Sequence, residues 1–338
     1  MSLTPGLNRV VLSTALMGVL AISGCGDFES SFVYSDRTNS LIPQAQNGIG
    51  EAPGVKQILD DRFGNPQNLK AWMKLPIDFG GVQCQIEAFA AGEGGTAQAK
   101  LTAAEGLTLP KSVTELVFVG GSCAGSSIAV TSWNPETGEA VLSGSLPADP
   151  ASGDLCALDG GSVLQAGRGL YMRHCSHCHG TSGDGNGPTA QYLNPRPRDY
   201  RHGVFKFTST NDMSRASRKD LERILKYGIP GTYMPSFLLM EDSELHAIVE
   251  YVRFLAMRGE YERKVATELS VDYSQKSFDD QVKGGTSAQE LLNDLETFLQ
   301  EDLKETAETL GDDLAETWTT ADAEESVIVP SVPRIPDT

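Results

Sequence analysis

Four stretches of the chain repeat apolar residues at helical spacing. In EDSELHAIVEYVRFLAMRG, Leu245, Ile248, Val249, Val252 and Leu255 fall on one face, with Asp242 or Ser243 placed to cap the first turn. DLERILKYG puts Leu221, Ile224 and Leu225 together; Ser217 and Asp220 form a capping box before it and Gly228 stops it. VLQAGRGLYMRHC reads as one helix despite its two glycines. Further on, Leu292, Leu295, Leu299, Leu303, Leu310 and Leu314 make a stripe with steps near 3.5, interrupted around Thr306. The pattern predicts an amphipathic helix ending near Gly311 or running to Trp318. Two short runs, TELVFVGG and SSIAVTSW, are instead β-type and lie between glycine-rich turns. Residues 26–70 are polar, with Gly, Pro, Asn and Gln scattered through them, a texture that predicts little regular structure. The tail VIVPSVPRIPDT is proline-rich and extended.

At the start, one arginine, Arg9, precedes the apolar run Val10 to Ile22, which is short for a membrane span and ends at Ile22-Ser23-Gly24-Cys25. The segment resembles a bacterial lipoprotein signal. That resemblance implies loss of residues 1–24, lipid on Cys25, and a mature chain anchored to a membrane on its periplasmic side. An ordinary secretory signal with an incidental cysteine would also export the chain. Residues 25–70 then form a tether and 71–160 a small β-rich region of unknown role. Residues 163–260 follow as a helical domain, and 261–338 as an acidic helical segment with a proline-rich tail.

Charge narrows the function classes. With 45 acidic and 27 basic residues in 338, the formal net charge is −18, which argues against a nucleic-acid-binding or general anionic-membrane surface. Residues 261–338 hold 19 acidic and six basic residues, whereas 163–260 hold 13 basic and 10 acidic. A slightly basic domain inside an acidic chain suits docking to an acidic redox partner, and equally suits folding against its own acidic helix. Six cysteines are too few for a disulfide-dense scaffold. Outside the cytoplasm two of Cys84, Cys123 and Cys156 can pair, and the spacing does not choose which.

The chemistry concentrates in Cys175-Ser176-His177-Cys178-His179. C-x-x-C-H is the attachment signature of a c-type haem. Two thiols on one helical turn reach the two vinyl groups of a porphyrin, and the next imidazole turns to the iron. Cys175 and Cys178 are thus the expected thioether residues and His179 the expected proximal ligand. A zinc site would need a second ligand pair at similar spacing, and a redox dithiol a βαβ context. His174 and His177 lie in the same turn but not where they face the iron. For the sixth position the candidate is Met234, in the Gly- and Pro-bounded loop GIPGTYMPSF; Met213, Met240 and His202 are its competitors.

Residues 163–260 resemble a class I cytochrome c domain. The resemblance rests on CSHCH, on Gly167 and Tyr171 ahead of it, and on Met234-Pro235 behind it. It implies a mainly α fold in which the first helix crosses the last at Gly167, against Tyr251, Val252 or Leu255. It implies that a carbonyl, Pro188's by position, supports His179. Around 194–210, Arg196, Arg198, Arg201 and Lys206 cluster, and Arg198 with Tyr200 is expected to meet the haem propionates. The layout also resembles membrane-tethered cytochromes of bacterial respiratory complexes, with redox proteins as partners. One C-x-x-C-H means one haem c. The expected function is one-electron transfer with His/Met ligation. The alternatives are a structural or assembly subunit, and a haem enzyme or gas sensor with an open sixth position.

Overall fold

The structure is a computed structural model that describes residues 31–328 except Ala124, Asp212 and Met213. Cys25, the leader, the proline-rich tail and the competitor Met213 lie outside the described residues. Three helices come first: α1 (Asp36–Asn39), α2 (Pro43–Asn47) and α3 (Val55–Phe63). Six strands follow, β1 (Val82–Ala91), β2 (Thr96–Ala103), β3 (Glu115–Phe118), β4 (Ser127–Asn134), β5 (Glu139–Ser143) and β6 (Leu155–Leu158). The remainder is helical: α4 (Ser162–His174), α5 (Ser176–His179), α6 (Arg218–Tyr227), α7 (Asp242–Tyr273), α8 (Gln275–Lys283), α9 (Ala288–Gln300) and α10 (Asp302–Ala321). No described helix is long and apolar enough to cross a membrane. The protein is thus mainly α, with a β unit inserted ahead of the haem motif.

That β unit is a closed barrel. All its pairings are antiparallel, in the order β1-β2-β5-β4-β3-β6, and β6 closes it by pairing with both β1 and β3. Alternation explains the closure: β2 reads exposed and buried by turns, sending Ala97, Ala99 and Leu101 inward. Ile86, Leu116, Phe118, Ile128, Leu142 and Leu158 complete a core of its own, distinct from the helical core. TELVFVGG and SSIAVTSW become β3 and β4.

The helical core is organised on α7, which has 32 residues and buries almost its whole first half. Its cap differs from expectation. The N-cap is Glu241, in a capping box with Glu244, because the chain turns one residue earlier than Asp242. The helix also runs on to Tyr273, so residue 260 lies in its middle. Gly167 lets α4 cross α7: a Cβ there would meet the Ala247 carbonyl oxygen and come within 2.9 Å of the Tyr251 Cβ. Tyr251 is therefore the crossing partner among the expected three, together with Ala247. The rings of Tyr171 and Tyr251 sit 5.2 Å apart at the same crossing.

Two expectations about the flanks are corrected. Residues 26–70 were expected to lack regular structure, but three helices occupy 36–63 and bury Leu41, Ile42, Val55, Ile58, Leu59 and Phe63 in the helical core. The polar texture hides them because α1 and α2 are short and largely polar, and α3 buries only Val55, Ile58, Leu59 and Phe63. Arg258, buried within α7, holds this segment. Its guanidinium lies 4.2 Å from the Phe32 ring centre, and Glu262 beside it accepts from Ser35 N and Thr38 Oγ1. The leucine stripe is likewise two helices, broken at Glu301 between α9 and α10. Leu295, Leu299, Leu303 and Leu314 are fully buried and α10 packs on α7.

Candidate functional site

The C-x-x-C-H stretch straddles a break. α4 ends at His174, Cys175 takes φ −120° and ψ −37°, and α5 restarts at Ser176. One hydrogen-bonded turn still unites the three residues, since Cys178 N and His179 N both donate to the Cys175 carbonyl, at 3.1 and 2.9 Å. The following loop folds back over the end of α5. Gly185 N, Gly187 N and Thr189 N donate to the carbonyls of His179, Cys178 and His177, which satisfies the orphan acceptors of that short helix.

His179 is oriented from two sides. Its Nδ1 lies 3.3 Å from the Arg198 carbonyl oxygen, a long hydrogen bond, and the Tyr200 ring stacks on the imidazole with centres 4.6 Å apart and planes 21° from parallel. The supporting carbonyl is thus Arg198's, not Pro188's. Because the loop containing Pro188 is spent on capping α5, the proline is left exposed while the 198–200 segment passes alongside the ring. Burial pushes the His179 pKa down to about 4 against the opposing effect of the Arg198 carbonyl. The imidazole is therefore neutral at physiological pH, the state in which it donates a lone pair to a metal. Burial, with Cys178 nearby, raises the Cys175 thiol to about 12.

These groups form one wall of a cavity of about 450 Å³. Met234 lines the same cavity, with Leu221, Ile224 and Leu225 of α6 and Val249 and Val252 of α7 completing an apolar lining. Gly228 aims the methionine loop. At φ +67° it ends α6, and a Cβ there would press to 2.7 Å from the Met234 carbonyl oxygen. Met234 N then donates to Thr232 Oγ1 at 3.1 Å. Arg196, Arg198 and Lys206 also line the cavity, and its one carboxylate, Asp199, is held by Arg201. His174 and His177 sit on the lining too, His174 edge-on to Phe237. His202 instead pairs with Arg263 on the surface, and neither it nor Met240 lines the cavity.

Two thiols, a neutral imidazole and a thioether on one lining, with apolar sides and the cationic Arg196, Arg198 and Lys206, fit a flat apolar macrocycle carrying two carboxylates. Among the described residues no three His, Cys, Asp or Glu side chains gather as a metal cluster.

Residues 164–256 match the cytochrome c family model. That match indicates a c-type cytochrome fold for this part of the chain, and supports haem c binding and a general electron-transfer role. No curated protein matches the chain. A solved structure described as the reducing HAO-like protein complex of Kuenenia stuttgartiensis is similar at 22% identity, with a TM-score of 0.28. The similarity covers 32% of this chain and 56% of that one, so this chain spans little more than half the length of that relative.

The matched segment stops inside α7, and what lies beyond it reaches the site indirectly. Phe205 stacks on Tyr200 at 5.5 Å, and Trp318 of α10 meets Phe205 edge-on at 6.5 Å. A run of aromatic rings thereby connects the C-terminal helix to His179. No local signal marks Trp318 as part of the site, because the contact forms only when α10 folds back.

Proposed function

We propose that this protein is a one-electron carrier with a single haem c, held outside the cytoplasm by lipid on Cys25 and serving a membrane respiratory complex. The observation that carries the reading is the convergence of Cys175, Cys178, His179 and Met234 on the lining of one apolar cavity. When bound, haem c supplies a one-electron iron couple. Cys175 and Cys178 would hold the macrocycle covalently, and His179 and Met234 would hold its iron. The Arg198 carbonyl and Tyr200 fix the imidazole plane, while Leu221, Leu225, Val249 and Val252 exclude water. The Arg198 side chain would neutralise the propionates, while Arg196 and Lys206 form a cationic rim.

That rim bears on the choice of partner. The acidic helix α10 pairs with Arg62, Lys74 and Lys264, and Asp322 just after it with Arg218 and Arg253. The basic domain thus folds against its own acidic segment through Arg218 and Arg253, and none of the pairs is in the 194–206 cluster, which stays available. Exposed Val204, Phe207, Tyr233, Leu238 and Leu239 accompany the cations near the cavity. An acidic redox protein is the partner such a surface suits. The assembly-subunit reading draws on the acidic helical segment, and four leucines of its stripe, Leu295, Leu299, Leu303 and Leu314, are buried within this chain.

Denaturing electrophoresis with haem staining tests the carrier reading: haem stays on the chain. Its complete extraction into acidified organic solvent overturns the assignment. Mass analysis of the mature N-terminus decides whether Cys25 begins the chain and carries lipid.

A further inference from the structure

Three cysteines lie outside the haem motif, and the barrel sorts them. Cys84 on β1 and Cys156 on β6 are direct antiparallel partners. Both are about 1% exposed, their sulfurs stand 3.1 Å apart, and each sulfur lies 3.5 Å from the other residue's carbonyl oxygen. Directly paired residues on antiparallel strands have Cα separations of roughly 4.5–5.5 Å, inside the range a disulfide spans. Cys123 is buried elsewhere, with its thiol 3.0 Å from the Ala148 carbonyl oxygen.

We propose that Cys84 and Cys156 are joined by a disulfide that locks the seam of the barrel. β1 and β6 are its first and last strands, and their pairing turns an open sheet into a closed one. The bond would therefore close the whole inserted unit as a covalent loop. It lies just before α4, so the helix that leads to Cys175 starts from a fixed base.

The chemistry balances by thiol–disulfide exchange with a disulfide-bearing protein oxidant. The Cys84 thiolate attacks that disulfide, forms a mixed disulfide and releases one of the oxidant's thiols. The Cys156 thiolate then displaces the other. The pair loses two electrons and two protons, and the oxidant gains them as a dithiol. The reaction belongs to folding, as β6 meets β1. In the finished barrel the hydrogen bond with Cys84, and after it burial, hold the Cys156 thiol far above its ordinary range, and no oxidant reaches either sulfur. Closing this pair early also removes two thiols that could otherwise pair with Cys175 or Cys178, which are needed as thiols for haem attachment.

The test uses the full chain from its native membrane, denatured in an alkylating reagent without reductant and then digested. The expected product is a peptide pair joining Cys84 to Cys156, lighter by two hydrogens than the free peptides, with Cys123 alkylated. Alkylation of both Cys84 and Cys156, or a link from either to Cys123, overturns the proposal. The Cys123→Ser chain keeps the linked pair; its loss in that variant counts against it. Reductant alone should leave the bond intact, and reductant with denaturant should open it; equal rates in both would refute a buried seam. Haem on the Cys175–Cys178 peptide is read in the same digest, so failure of the carrier assignment shows up separately.

Discussion

On the proposed carrier reading, Met234 decides what kind of haem protein this is. A neutral thioether in a dry site favours the less charged ferrous state, so it raises the potential relative to ligation by two imidazoles. Met234→Ala should leave the haem covalently attached, admit exogenous ligands at the sixth position and lower the potential. The side chain is only partly buried, so the cost in stability should stay below about 2 kcal/mol. Redox titration and spectra of the oxidised protein check this, and an unchanged spectrum and potential would reduce Met234 to packing. Asp220 is a second residue with a defined role. Its carboxylate accepts from Ser209 N, Ser209 Oγ, Ser217 Oγ and Arg223, and so ties the 205–210 loop to the start of α6. Burial raises its pKa, but those hydrogen bonds outweigh burial and leave it below the ordinary carboxylate value. A depressed carboxylate stabilises the fold above its unfolded pKa and loses that contribution as pH falls through its folded value. Asp220→Asn should therefore cost about 1–3 kcal/mol at neutral pH, and the gap from the parent should close below about pH 4. Denaturation curves at pH 7 and pH 3 measure it; a gap that persists in acid would contradict the account.

At the scale of elements, α10 does more than cover the core. Trp318 is fully buried, donates its indole N–H to Glu260 at 3.1 Å, lies over the Arg253 guanidinium and abuts Phe205. Trp318→Ala should cost about 3–5 kcal/mol, the usual penalty for emptying a large aromatic site. It should also loosen Phe205 from Tyr200, which a changed near-ultraviolet aromatic signal would register. A loss under 1 kcal/mol would mean that α10 is peripheral. The leucine stripe was legible here because 3.5-residue spacing is a local property. The break at Glu301 was not, because apolar spacing continues across it and only the turn onto α7 separates the two helices.

For the whole molecule, the distribution of charge sets how it meets others. Acidic α10 is neutralised by Lys74 and Lys264, half-exposed pairs worth at most about 1 kcal/mol each. Zero-length cross-linking should join Lys264 to Asp313 and Lys74 to Asp312 within one chain. Cross-links from this helix only to other proteins would show that it folds outward. Arg196 and Lys206 stay exposed. Reversing both to Glu should slow reduction or oxidation by an acidic partner about tenfold or more at low salt, and the difference should fade as salt screens it. Stopped-flow mixing at two ionic strengths gives the rates, while the potential serves as the control.

The sequence by itself determined the parts whose physics is local. Cys175, Cys178 and His179 are brought together by one turn of chain, α6 and α7 by apolar spacing and stops, and the β-type runs by their composition between glycine turns. Gly167 was readable through the resemblance to class I cytochromes c, in which a residue without a side chain admits the crossing helix. Tertiary structure alone decided which carbonyl faces His179, which face of α10 is buried, and that residues 31–70 belong to the core. It also decided that β6 reaches both β1 and β3, and so which cysteines meet. Each of these depends on segments far apart in the chain whose contact is chosen by the packing of the whole, and no periodicity within a short window carries that choice.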